Sequence, residues 1–139
     1  MTGIYHHSVD AKGRLFIPAR LRDELGKAFH VTVSIEEKCL WAFSDENWEK
    51  FSDKIDAMPI AQQIRMRAVY SHATRCEPDA QGRILLPQQL RDSREIKRSV
   101  TVVGAGKRAE IWDTEKFQEN DAVEVAPANI AAVFTELGI

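Results

Sequence analysis

The sequence predicts an α+β fold in which two copies of one small unit build a pseudo-twofold β-barrel with short flanking helices. Two observations support this prediction. A segment rich in turn residues recurs once along the chain, and each copy is followed by short apolar runs typical of strands. Because short strands leave open edges, a closed or swapped β-barrel built by both copies together is favoured.

The repeat joins residues 10–23 (DAKGRLFIPARLRD) to residues 79–92 (DAQGRILLPQQLRD), so that Asp10 corresponds to Asp79. The spacing continues without a gap, because the Val-Thr-Val of residues 31–33 returns at residues 100–102. Over 24 aligned positions 11 are identical, far above coincidence. The two halves of the chain are therefore expected to share one local structure.

Each unit has a plan that can be derived from its residues. Asp-x-x-Gly predicts a tight turn, because the aspartate can accept hydrogen bonds from the following amides and glycine tolerates a left-handed backbone. Apolar strands follow the turns, and proline then starts a short helix. Strands are predicted at residues 15–17, 84–86, 31–35 and 40–43. Helices are predicted to start at Pro18, Pro87 and Pro59, and the first of them to end at Gly26. Ser44 and Asp113 are predicted N-caps, and a last helix is predicted near residues 126–137.

These elements predict four segments along the chain. They are a first repeat over residues 1–51, a linker with a helix over 52–72, a second repeat over 73–120, and an acidic C-terminal tail with a helix over 121–139. On the linker helix Ile60, Ile64 and Ala68 share one face.

Composition permits nucleic-acid binding without requiring it. The net charge is −2, but residues 1–99 carry 16 Lys and Arg against 14 Asp and Glu, while residues 100–139 carry 3 against 7. A basic surface on the body of the protein is thus compatible with the total. No apolar run is long enough to cross a bilayer, no signal peptide fits, and Cys39 and Cys76 are expected to be free thiols, so we expect a cytoplasmic protein.

The repeated turn ends on an arginine, Arg14 in the first copy and Arg83 in the second. One interpretation is that both guanidinium groups meet DNA, since their planar forks suit phosphate and guanine edges. Lys12 would add a charge in the first copy, where the second has Gln81. The other interpretation is an internal Asp–Arg salt bridge that braces each turn. The residues alone leave both open.

The pattern Gly3-Ile-Tyr-His-His-Ser-Val-Asp-Ala-Lys-Gly-Arg-Leu-Phe-Ile-Pro18, with Asp-x-x-Gly-Arg again at 79–83, resembles the MraZ family of bacterial transcriptional regulators. Residues 71–76 and 110–112 extend the similarity, which runs from residue 3 to about 117. Ile4 departs from the acidic residue common in that family, and the acidic tail has no assigned role.

The resemblance implies two AbrB-like swapped-hairpin units per chain that assemble into homo-oligomeric rings. It also implies binding to short direct repeats upstream of the division and cell-wall gene cluster that includes the protein's own gene, in association with the nucleoid. The family's Asp-x-x-x-Arg motif corresponds to Asp10 with Arg14 and Asp79 with Arg83. Gly13 and Gly82 are expected to shape these turns.

Other candidates have weaker support. His7, near the first turn, and Arg20, on the following helix, could extend a DNA-binding surface, although structural or solvated roles are the commoner ones for such residues. Arg65 and Arg67 are expected to be surface charges, and the tryptophans to be core residues. No ligand spacing predicts a metal, and no motif predicts a cofactor, a small-molecule substrate or an enzyme. The rival to a DNA-binding regulator is an AbrB-type protein-interaction module, antitoxin-like or a structural ring.

Overall fold

The computed structural model describes residues 1–35 and 38–139 and shows a mixed α+β fold built on antiparallel strands, as the sequence predicts. The strands in those ranges are β1 (Ile4–Ser8), β2 (Arg14–Phe16), β3 (Phe29–Val33), β4 (Leu40–Ser44), β5 (Thr74–Cys76), β6 (Arg83–Leu85), β7 (Ser99–Ala105) and β8 (Arg108–Asp113). The helices are α1 (Ala19–Leu25), α2 (Asp45–Asp56), α3 (Ile60–Arg65), α4 (Arg67–Ser71), α5 (Gln88–Ser93), α6 (Thr114–Glu124) and α7 (Pro127–Leu137).

The strands form a six-stranded sheet in the order β1-β7-β8-β4-β3-β5 and a separate two-stranded ribbon, β2-β6. Among the described residues the sheet is open, with β1 and β5 at its two edges. The prediction of a closed barrel is therefore wrong. The reason lies in β2 and β6, which are only three residues long and pair with each other. A bridge between Val9 and Leu15 links the ribbon to the β1 side of the sheet.

The two repeats exchange their first strands. β1 of the first repeat pairs with β7 of the second, and β5 of the second pairs with β3 of the first. A pseudo-twofold axis passes through two ladders, where Leu15 faces its own counterpart Ile84 and Trp41 faces its own counterpart Glu110. Neither repeat completes its part of the sheet without the other.

The edges of the sheet depart from this symmetry. His7 of β1 faces Val100 of β7. In the other repeat the corresponding residue Cys76 would face Val31 if the symmetry were exact, but it faces Phe29, which lies two residues earlier in β3. A shift of two residues keeps every side chain on its original face. β5 is also shorter than β1: the Val9 N–H donates to the Arg98 carbonyl at 2.9 Å, and the corresponding residue is proline, which has no N–H to donate.

The predicted starts of α1 and α5 and the predicted end of α1 agree with the structure to within a residue. Pro18 and Pro87 are the N-caps of α1 and α5, one position before the first helical residue. Gly26 ends α1 with a φ of 89°, and the Ser44 hydroxyl accepts a hydrogen bond from the Asn47 amide at 3.1 Å. Asp113 precedes α6 as predicted, but its carboxylate accepts from the Lys97 amide at 3.1 Å and does not cap the helix.

The principal core is a single cluster of side chains from both repeats. The buried face of the ribbon, Leu15 and Ile84, packs in it together with Phe29 and Val31 of β3 and Ile111 of β8. Burial of each such side chain stabilises the fold by about 1.5–3 kcal/mol. Because this core spans the pseudo-twofold axis, it fixes the position of the ribbon and of the turns at its ends.

Some predicted environments differ in the structure. β3 ends at Val33, before the predicted strand end at residue 35. Thr32 and Ser34 are buried together with Val31 and Val33, whereas Ile35 is half exposed, and the Thr32 hydroxyl donates to the Val69 carbonyl of α4. The linker helix is split into α3 and α4 at Met66, and its shared apolar face is exposed. Of the tryptophans, Trp112 is buried, whereas Trp41 and Trp48 are half-buried. Within the described residues no helix combines the length and apolarity needed to span a membrane.

Candidate nucleic-acid interface

The two Asp-x-x-Gly-Arg turns have the same hydrogen-bond network. In the first turn the Asp10 Oδ1 accepts from the amides of Lys12 and Arg14, both at 2.9 Å, and the Gly13 amide donates to the Asp10 carbonyl at 3.0 Å. Gly13 has a φ of +83°, a conformation that glycine adopts without steric cost. The sequence predicted this turn from the aspartate and the glycine.

The second turn repeats these bonds residue by residue. The Asp79 Oδ1 accepts from the amides of Gln81 and Arg83, both at 2.9 Å, and Gly82 has a φ of +80°. In each turn the amide of the arginine is the largest cause that holds the pKa of the aspartate below its usual value. Both carboxylates are therefore ionised at neutral pH, as the caps require.

Each arginine side chain is oriented by the aspartate of its own turn. The Arg14 Nε donates to the Asp10 Oδ2 at 2.7 Å, and the Arg83 Nε donates to the Asp79 Oδ2 at 3.1 Å. The predicted salt bridge is thus present in both copies. It engages Nε only, and the structure shows no hydrogen bond of the Nη atoms to any described residue. Each arginine can therefore brace its turn through Nε while its Nη atoms remain available for a ligand.

The ribbon places both arginines on one face. Arg14 pairs with Leu85 and Phe16 pairs with Arg83, so these four side chains alternate with the buried Leu15 and Ile84. Leu85 is 63% exposed, and both arginines are about one third exposed. We call the face formed by Arg14, Phe16, Arg83 and Leu85 the outer ribbon face. It carries two cations and no carboxylate other than those of the turns.

Two further arginines, not selected from the sequence, brace the turns across the axis. The Arg22 Nε donates to the Ile17 carbonyl at 2.8 Å, and its guanidinium lies against Gly82 of the other repeat and 5.5 Å from the centre of the Phe16 ring. Its counterpart Arg91 donates to the Leu86 carbonyl at 3.0 Å and lies against Gly13. The sequence feature that marks Arg22 and Arg91 is the Leu-Arg-Asp that recurs after Pro18 and after Pro87.

The remaining predicted residues are dispersed around this surface. Lys12 and Gln81 are exposed at the tips of their turns. His7 lies beside the outer ribbon face, with its ring 5.0 Å from that of Phe16, and burial followed by the charge of His6 lowers its pKa. Arg20 lies apart from the turns, in a cleft lined also by Tyr5, Asp23 and Glu24, so the structure does not bring it to the outer ribbon face.

Comparison with known proteins agrees with the resemblance. The family model described as "MraZ protein, putative antitoxin-like" matches residues 1–68 and again residues 69–127. A protein of Carboxydothermus hydrogenoformans named "Transcriptional regulator MraZ" is 44% identical over 81% of this chain and 80% of its own length. A protein of the same name from Heliobacterium modesticaldum is 41% identical over 84% of this chain and 83% of its own length. Another, from Alkaliphilus metalliredigens, is 38% identical over 99% of this chain and 98% of its own length.

Proposed function

The chain belongs to the MraZ family, and on that basis we propose that it is a sequence-specific DNA-binding transcriptional regulator that contacts DNA through the outer ribbon face. The observation that carries the proposal is the placement of Arg14 and Arg83 on one exposed face, each held at Nε by a carboxylate. A guanidinium fixed in this way can donate two parallel hydrogen bonds to a guanine edge or a phosphate.

The shape of the ribbon also supports the proposal. The major groove of B-DNA is wide enough for a two-stranded β-ribbon. Here the ribbon is short, and its inner side rests on the core through Leu15 and Ile84, so the core fixes the position of its outer face. Leu85 lies opposite Arg14 and Phe16 lies opposite Arg83, where both apolar side chains can contact thymine methyl groups. Lys12 and Gln81 at the turn tips, with His7 alongside, complete the proposed surface.

The test is a DNA-binding titration with Arg14→Ala, using DNA from upstream of the gene that encodes this chain. We expect specific affinity to fall by about 5- to 150-fold, equivalent to about 1–3 kcal/mol, because base contacts are lost. The turn should persist, since Asp10 still accepts from two backbone amides. Lys54→Ala, which removes an exposed cation of α2 outside the outer ribbon face, is the matched control and should bind normally. Unfolding of Arg14→Ala, or equal affinity of both variants, would contradict the proposal.

We also propose the finer features that the family implies. The two repeats, over residues 1–51 and 73–120, act as AbrB-like swapped-hairpin units, which the exchange of β1 and β5 supports. The DNA sites are short direct repeats in the promoter of the division and cell-wall gene cluster, and the protein acts in the cytoplasm on the nucleoid. One pair of turns spans only a few base pairs, so several linked units are needed for high affinity.

Assembly into a ring is the proposed means of linking units. α7 carries Ile130, Val133, Phe134 and Leu137 on one exposed face, at the spacing of an apolar helix stripe. The exposed face of α3, with Ile60 and Ile64, offers a surface that α7 of a second copy could cover. Charge favours this pairing, because residues 117–139 contain acidic residues and no basic ones, while Arg65 and Arg67 flank the α3 face. A head-to-tail contact of this kind closes a ring when the rotation permits.

The second candidate function is a protein-interaction module, antitoxin-like or a structural ring, without specific promoter binding. The wording of the family description and the exposed apolar face of α7 favour it. The same titration separates the two functions: a stable protein complex without a shift of upstream DNA would support the module.

A further inference from the structure

A cleft of about 450 Å³ adjoins the first turn and carries three cations. Its lining includes Asp10 and Ala11 of the turn, together with Arg91, Lys97 and Arg98 of the second repeat. The last two side chains are exposed, and the structure shows no ion pair for either among the described residues. Their backbone is fixed, because the Arg98 carbonyl accepts from the Val9 amide and the Lys97 amide donates to Asp113. We call Lys97 and Arg98 the cleft pair.

The carboxylates around this cleft are already engaged. Asp10 accepts hydrogen bonds from two amides and pairs with Arg14, and Glu95 pairs with Lys116. Arg91 uses Nε and Nη2 for bonds to Leu86 and Gln88 and is held in place. Lys116 is the largest cause that lowers the pKa of Glu95, and the charge of Lys97 contributes less. Neither side chain of the cleft pair forms an ion pair with a described carboxylate, so both cations face the cleft with no direct acidic partner.

The second turn has no counterpart of the cleft pair. A cleft of about 530 Å³ lies there, lined by Arg22, Lys27 and Asp79 but also by a further carboxylate, Asp23. The positions that correspond to Lys97 and Arg98 are Ala28 and the fully buried Phe29. At the tip of the turn, the lysine of the first copy is replaced by the neutral Gln81. The two ends of a nearly symmetric surface thus differ strongly in charge.

We infer that the cleft pair binds backbone phosphates beside the bases read by the first turn, and that this one-sided anchor sets the direction in which each unit lies on DNA. The inference rests on the proposed function. A surface with equal turns would bind a site equally well in two opposite orientations. A direct repeat needs every unit to point the same way, and two extra phosphate contacts at one end favour a single orientation.

The test compares Lys97→Gln/Arg98→Gln with Lys50→Gln/Lys54→Gln on α2, which lie outside both the DNA surface and the ring contact, so that the two variants have the same net charge. Binding of a fluorescein-labelled upstream duplex is titrated by anisotropy at several salt concentrations. Because each phosphate contact contributes about 0.9 to the slope of log affinity against log salt, the cleft variant should have a slope shallower by about two, and the control an unchanged slope. Lys97→Arg/Arg98→Lys, which keeps both charges, should restore the slope.

The outcomes separate the two claims. If the cleft variant and its control have the same slope while Arg14→Ala loses specific binding, the cleft inference is wrong and the proposed function stands. If the unaltered protein does not bind the duplex specifically, both fail.

Orientation is tested by cleavage from an iron chelate attached to Lys27→Cys, beside the second turn. The two natural cysteines do not compete, because both are buried and burial raises the pKa of the Cys76 thiol to about 11. Cleavage should occur at one end of each site in the unaltered background and at both ends when the cleft pair is replaced by glutamine. Cleavage at both ends in the unaltered background would overturn the assignment of direction.

Discussion

At the scale of single residues, Arg14 and Arg83 combine the two roles that the sequence left open. The carboxylate binds Nε, which orients the side chain, and the Nη end is free of hydrogen bonds to described residues. The recurrence of Asp and Arg at a fixed spacing was enough to predict the pairs. It could not predict Arg22 and Arg91, because their contacts cross the axis to glycines of the other repeat.

Two histidines give the fold a pH dependence that can be measured. Burial is the largest cause that lowers the pKa of both His7 and His30, so the folded state binds their protons less tightly than the unfolded chain. The free energy of unfolding should therefore decrease as pH falls through about 6.5, the ordinary value. Denaturant titrations between about pH 7.5 and 5.5 measure this, and His7→Gln/His30→Gln should flatten the curve. An unchanged dependence in the double variant would exclude these residues as the cause.

At the scale of elements, the sequence predicts what depends on local chemistry. Turns, proline-started helices and the Ser44 cap follow from residue types within a few positions, and the structure agrees. The burial of Thr32 and the exposure of Ile60 and Ile64 depend on which elements pack together, which a local pattern does not contain. The open sheet has the same origin, because pairing of β2 with β6 is a contact between residues 69 apart.

The glycines of the turns allow a matched test of the bracing arginines. Gly13→Ala, Gly82→Ala and Gly106→Ala all place a side chain at positive φ, which costs about 1–2 kcal/mol in each case. A Cβ at Gly106 meets nothing within 4 Å, whereas at Gly82 it lies 2.8 Å from the Arg22 Cζ, and at Gly13 it lies 2.9 Å from Arg91 and 3.2 Å from the Leu86 carbonyl.

Thermal unfolding should therefore rank the three variants. Gly13→Ala should have the lowest Tm, since a backbone carbonyl moves less readily than a side chain, followed by Gly82→Ala and then Gly106→Ala. Equal Tm values would mean that the contacts of Arg22 and Arg91 with the turns do not stabilise the fold.

At the scale of the whole molecule, strand exchange makes one structural body of two repeats, while α7 extends from it without a buried residue. The proposed ring uses that helix. Phe134→Asp should reduce the mass in light scattering from a multiple of 15.8 kDa toward that of one chain, because a charge enters the apolar stripe. Thr135→Asp introduces the same charge on the opposite face of α7 and should leave the mass unchanged. A monomer before any substitution would contradict the ring.

Contact between the outer ribbon face and DNA can be detected by site-specific photocrosslinking. A benzophenone amino acid is placed either at Leu85, on the outer ribbon face and 63% exposed, or at Val123, on α6 and 62% exposed. With upstream duplex DNA we expect a crosslink from position 85 that unlabelled specific duplex competes away, and none from position 123. Crosslinking from position 123 alone, or from both positions equally, would mean that the outer ribbon face is not the DNA-binding surface.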